Sequence, residues 1–114
     1  MKRCCFALAA LAAALARRIQ GNPQSVSPYH HVRAHPLPVL ILHGSEDRVV
    51  PIRSVEIFAQ AMQKAGNRCM LKKYEGAGHG FFNFRRRGGN NPYYKQTLEE
   101  MDRFLVQLEF LPPK

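Results

Sequence analysis

The apolar positions of the chain change period several times, and these changes divide it into segments. Cys4 to Ala16 is an unbroken apolar block behind Met1-Lys2-Arg3. From Gly21 to Pro38 the pattern dissolves. Gly21, Asn22, Pro23, Ser25, Ser27, Pro28, Pro36 and Pro38 all disfavour regular structure, so the segment reads as loop and linker. Val39-Leu40-Ile41-Leu42 is a continuous apolar run between Pro38 and His43-Gly44, as expected of a strand buried on both faces of a parallel sheet. A turn over Gly44-Ser45-Glu46-Asp47-Arg48 leads into Val49-Val50-Pro51. Val55, Phe58, Met62 and Ala65 then recur at three- and four-residue spacing and predict a helix, which Gly66 and Asn67 stop.

The second half repeats the scheme. Arg68 to Tyr74 predicts a strand in which Cys69, Leu71 and Lys73 alternate with Met70, Lys72 and Tyr74, a pattern suited to a place near a sheet edge. The loop Glu75-Gly76-Ala77-Gly78-His79-Gly80 leads into Phe81-Phe82-Asn83-Phe84. A last helix is expected to begin around Asn91-Pro92, where proline fits the first helical position. Its expected apolar stripe is Tyr94, Leu98, Met101, Leu105 and Leu108, and Pro112-Pro113 end the pattern. Strand, helix, strand, helix in that order is half of a doubly wound α/β sheet. The expected divisions are therefore an apolar segment over 1–20, a linker over 21–37, and a strand-helix-strand-helix domain portion over 38–111.

The first segment admits two readings. A basic start, an apolar run and the small-x-small triplet Ala14-Leu15-Ala16 have the layout of a secretory signal peptide, and the run is too short to span a bilayer. Against this, Arg17-Arg18 places positive charge just beyond the run, which opposes export. The other reading is an Ala/Leu-rich helix or a piece of a larger gene. The first implies secretion or a periplasmic location, the second the cytoplasm.

Composition adds limits rather than a function. With 114 residues there is room for one small domain, and a core of that size leaves a narrow margin of stability. Seventeen Lys and Arg against eight acids give a net charge of +9, a balance that raises the question of nucleic acid. The basic residues are scattered, however, and the only tight run is Arg85-Arg86-Arg87. That distribution reads as a solvated surface, not a nucleic-acid face. Cys4, Cys5 and Cys69 show neither a C-x-x-C pair nor a disulfide spacing. His30, His31 and His35 lie in the linker with Pro36 against a helix and no acid nearby, so they are read as loop histidines and no metal site is expected.

In a sheet of this kind, functional side chains gather in the loops at the carboxyl ends of strands. Asp47 follows the first strand and His79 follows the second. A histidine that takes a proton from a hydroxyl works best when a carboxylate holds its other ring nitrogen, which fixes the tautomer and stabilises the imidazolium. Glycines flank His79 and let the backbone turn tightly there. Asp47 and His79 are the candidate catalytic residues.

At these residues a family resemblance emerges. Pro38-Val39-Leu40-Ile41-Leu42-His43-Gly44-Ser45-Glu46-Asp47-Arg48-Val49-Val50-Pro51 resembles the acid-bearing segment of α/β-hydrolases, notably acetyl-esterase/lipase-like and prolyl-oligopeptidase-like members. Glu75-Gly76-Ala77-Gly78-His79-Gly80-Phe81 is similar to their histidine loop, and Ser27-Pro28-Tyr29-His30-His31-Val32 to the stretch before the acid strand. The resemblance covers about Ser25 to Phe110, the last third of a whole hydrolase domain. It implies a partial α/β-hydrolase fold, Asp47 as triad acid with Glu46 as a rival, His79 as general base, and no organic cofactor or metal.

One part of the family pattern is missing. These enzymes carry their nucleophile in G-x-S-x-G, ahead of the acid and histidine. The serines here are Ser25, Ser27, Ser45 and Ser54, and none stands in that motif. Without a nucleophile and oxyanion donors the chain is expected to be inactive alone, as a hydrolase fragment or as a subunit completed by a missing N-terminal half or another chain. The implied substrate is a small ester such as an acetylated sugar, with a short peptide as the alternative. A non-catalytic basic binding module, using Phe81, Phe82, Phe84, Tyr93 and Tyr94, is the reading from a different class.

Overall fold

The computed structural model describes residues 23–25, 27–34 and 37–114. The 1–20 segment and His35 lie outside the described residues, and so do the readings made of them. The described chain forms two compact units, one ending at His79 and one beginning at Gly80.

In the first unit, strand β1 (Val39–Gly44) and strand β2 (Cys69–Tyr74) pair in parallel. The register aligns Val39 with Cys69 and Gly44 with Tyr74, so both strands end at the same level. Helix α1 (Ile52–Lys64) connects them. The expected helix forms, and Val55, Phe58 and Met62 of its expected face are buried together with Ala59, whereas Ala65 is half-buried at the C-cap. They pack with Val39, Ile41, Val50 and Cys69 into one apolar cluster, against which Val32 and Leu71 also lie. Burying each of the larger side chains contributes roughly 1.5–3 kcal/mol, which makes this cluster the main support of the loops above it.

The end of α1 follows from its sequence. Gly66 takes the left-handed conformation at φ 84°. The Gly66 amide donates to the Gln63 carbonyl and the Asn67 amide to the Met62 carbonyl, both at 3.0 Å. That pair of bonds satisfies carbonyls the helix would otherwise leave open. Asn67 is itself buried, and its Nδ2 donates to the Arg33 carbonyl at 2.9 Å, tying the linker to the helix end.

Strand β2 departs from the expected alternation. Cys69 and Tyr74 at its ends are buried, while Lys72 and Lys73 next to each other are exposed. Lys73 Nζ lies 3.1 Å from Glu56 Oε1 of α1, so the charged head reaches a partner at the surface while the strand keeps its place.

In the second unit, helix α2 (Pro92–Gln107) starts where expected, with Asn91 as its cap and Pro92 at the first position. The Asn91 side chain accepts from the Tyr93 amide at 3.1 Å. The expected apolar stripe holds at the buried Leu108 and the half-buried Met101 and Leu105, but Tyr94 and Leu98 are exposed, and Thr97 and Phe104 are buried instead. Thr97 can be buried because its hydroxyl donates within its own helix, 2.8 Å from the Tyr93 carbonyl and 3.0 Å from that of Tyr94. A polar residue whose hydrogen bond is satisfied internally thus takes a core position that a hydropathy pattern assigns elsewhere.

Candidate active site

Because β1 and β2 end in register, the loops that follow them leave the sheet side by side. Three hydrogen bonds join those loops. The Ser45 amide donates to the Tyr74 carbonyl and the Glu46 amide to the Ala77 carbonyl, each at 3.0 Å. The Gly76 amide donates to Ser45 Oγ at 2.8 Å. Gly44 completes the junction. A Cβ at this position would run into the backbone carbonyl of Ala77, so only glycine lets the two loops approach this closely.

This junction brings together the two residues singled out from sequence. Asp47 Oδ2 and His79 Nδ1 are 3.0 Å apart. The Asp47 side chain is only 5% exposed, whereas that of His79 is 49% exposed. Asp47 is held from behind as well. Its Oδ1 accepts from the Val49 amide at 2.8 Å and the Val50 amide at 2.9 Å, an Asx turn that orients the carboxylate before the histidine is considered. Burial by itself would raise the Asp47 carboxyl. Hydrogen bonds from the Val50 amide, the His79 ring and the Val49 amide outweigh it and hold the group below its ordinary value.

An ionised carboxylate can only accept a hydrogen bond, so the His79 Nδ1 carries the proton. Its Nε2 is then left with a lone pair on a half-exposed ring. Chemically this is an oriented base, able to take a proton from a hydroxyl or water and to be stabilised as imidazolium by Asp47. Glu46, the rival acid, is exposed and contributes its backbone amide to the junction rather than a carboxylate to His79. Ser45 Oγ is engaged with Gly76, and Ser54 is exposed in the first turn of α1.

Sequence reasoning missed His43. This residue is buried at 5% exposure near the end of β1, four positions before Asp47. Its Nε2 lies 2.9 Å from the Val50 carbonyl oxygen and 3.5 Å from Asp47 Oδ2. The available signal was a polar residue closing an otherwise apolar strand, since a buried polar group needs a partner.

In the second unit, Asn91 Nδ2 donates to the carbonyls of Phe81 and Asn83, so one buried side chain holds the loop after Gly80 against the start of α2. Phe81 is buried and meets Phe82 and Tyr93 edge-on, with ring centroids 5.6 and 5.5 Å apart. Phe84 meets Tyr94 in the same way, and both remain exposed. These contacts account for Phe81 and Tyr93 as packing residues.

Comparison with known proteins agrees with this geometry. Residues 3–109 match the Dienelactone hydrolase family, a span that takes in most of the apolar N-terminal segment. None of the curated proteins compared matches the chain. Among solved structures, esterase 2 of the planctomycete Thermogutta terrifontis with propionate bound superposes with a TM-score of 0.78 at 53% identity, over 88% of this chain and 36% of that one. The same enzyme phosphorylated by paraoxon gives 0.79 at 51% identity, over 90% and 38%. Its form phosphonylated by cyclosarin gives 0.79 at 50%, over 94% and 40%. The chain thus spans well under half the length of the esterase chains it matches, and the α/β arrangement seen here is an α/β-hydrolase esterase fold.

Proposed function

We propose that this chain, which belongs to the Dienelactone hydrolase family, supplies the acid and the general base of a serine-dependent ester hydrolase. His79 is the base and Asp47 the acid that orients it. The observation that carries the reading is the 3.0 Å contact between His79 Nδ1 and a buried, doubly amide-bonded Asp47 carboxylate. In the proposed reaction, His79 Nε2 takes the proton of a serine hydroxyl as it attacks the ester carbonyl. It returns that proton to the departing alcohol, then repeats the cycle with water on the acyl-serine. Asp47 stays ionised throughout. The serine comes from outside this sequence, which has no G-x-S-x-G.

Small carboxylic esters are the proposed substrates. The related esterase binds propionate and butyrate and is phosphorylated by paraoxon, which supports a small-acyl site with an activated nucleophile. These matches favour an ester over a peptide. The test is a graft in which this chain replaces the corresponding part of Thermogutta terrifontis esterase 2. The graft should hydrolyse p-nitrophenyl acetate, and His79→Ala should reduce kcat by roughly 10³-fold or more. Undiminished turnover in the His79→Ala graft would refute the assignment.

A further inference from the structure

We propose that His43 is a positioning residue for the Asp47–His79 pair, holding the turn that aims the acid; the inference rests on the reading of that pair given above. A backbone carbonyl can only accept, so the 2.9 Å contact with the Val50 oxygen requires a proton on His43 Nε2. The Val50 amide in turn donates to Asp47 Oδ1 at 2.9 Å. Val50 is 1% exposed and is therefore gripped from both sides, by His43 at its carbonyl and by Asp47 at its amide. His43 Nε2 also lies 3.5 Å from Asp47 Oδ2, a weaker second contact on the oxygen that His79 uses. His43 thus touches both the support of one carboxylate oxygen and the surroundings of the other.

The placement of His43 gives it leverage. It shares a face of β1 with Val39 and Ile41, which belong to the apolar cluster, and its ring is buried. In the Asp47 loop Arg48 and Val49 are exposed, so the turn is held at its two ends, by the Asp47 carboxylate and by Val50. Removing the His43 N–H leaves the Val50 carbonyl buried without its partner, and the local remedy is for the turn to rotate outward. Rotation carries the two amide donors off Asp47 Oδ1 and frees the carboxylate to swing from His79. At 3.5 Å the competing pull on Oδ2 is too weak for its loss to compensate.

The tautomer of His79 reads out this effect. Neutral imidazole by itself favours the Nε2–H form, so a dominant Nδ1–H form reports that Asp47 is holding the ring. The experiment records ring nitrogen shifts of the ¹⁵N-labelled 114-residue chain, wild type and His43 variants, at alkaline pH. Wild type should show His43 as Nε2–H and His79 mainly as Nδ1–H. His43→Leu should shift the His79 tautomer ratio at least about fivefold towards Nε2–H, equivalent to about 1 kcal/mol. His43→Gln, whose amide can still donate to Val50, should restore most of it.

A His43→Leu variant that keeps the wild-type ratio would overturn the proposal, whatever its thermal stability. If that variant does not fold, wild type alone decides, because His43 found as Nδ1–H contradicts the proposal outright. A wild type in which His43 is Nε2–H but His79 is not Nδ1–H would sink the reading of the catalytic pair instead. The two failures are thereby distinguished.

Discussion

Gly44 and Ala77 meet backbone to backbone, and no side chain fits between them. Thirty-odd residues apart in sequence, they are the point at which the acid loop is fastened to the histidine loop. The alternative to glycine here is displacement of the Ala77–His79 segment. Gly44→Ala is expected to cost about 1–3 kcal/mol of stability, the usual scale for overpacking. It should also separate His79 from Asp47. Denaturant unfolding checks the first effect and the His79 tautomer the second. An unchanged tautomer would show that the fastening is made elsewhere.

Asp47 gives the fold a pH dependence whose sign follows from its lowered carboxyl. The folded value lies below the ordinary 3.8, so the folded state binds the proton less readily than the unfolded chain. The stabilisation is complete above about pH 4–5 and disappears as pH falls through the folded value. Asp47→Asn lacks this contribution at every pH. Urea unfolding of both proteins should therefore show a gap of about 1–3 kcal/mol at pH 7 that narrows on acidification below pH 4. A gap that stays constant would contradict the hydrogen-bonded, ionised Asp47.

Asn91 joins three backbone groups through one side chain, capping α2 at Tyr93 and holding the carbonyls of Phe81 and Asn83. Asn91→Ala removes the cap and leaves acceptors in a buried place without their donor. The expected loss is about 1–3 kcal/mol. Asn91→Asp keeps the cap oxygen but turns an acceptor towards the Phe81 and Asn83 carbonyls, and should be far less stable than wild type in thermal unfolding. An Asp variant as stable as wild type would mean that the two carbonyl contacts contribute little.

On its own the 114-residue chain is expected not to hydrolyse p-nitrophenyl acetate above buffer, because no serine stands in a nucleophile turn. Turnover by the purified chain that vanishes in both His79→Ala and Asp47→Ala would reveal a nucleophile within it.

The parts of this site that are legible in sequence are those written in periodicity and chain order. The apolar run Val39–Leu42 announced a buried strand, and Val55, Phe58 and Met62 announced the helix beside it. Asp47 and His79 could be named because each follows a strand end, and parallel strands that end level bring such loops together. The fastening of those loops was not legible. It depends on Gly44 against Ala77 and on Ser45 accepting from Gly76, contacts between backbone groups that any residue pattern leaves unmarked. The first two positions of the α2 stripe, Tyr94 and Leu98, were misplaced for a related reason. Hydropathy cannot see that the Thr97 hydroxyl is satisfied by its own helix, nor that Tyr94 finds Phe84 at the surface.

In the proposed ester hydrolysis Asp47 and His79 act as one unit. The most direct measurement is a double-mutant cycle on kcat for p-nitrophenyl acetate in the esterase graft, with Asp47→Asn, His79→Ala and both together. Residues that work as a unit are strongly non-additive. Each single substitution should lower kcat by roughly 10³–10⁴-fold, and the double variant should be no slower than His79→Ala alone. A graft in which Asp47→Asn retains full activity, or in which the two losses multiply, would contradict the assignment.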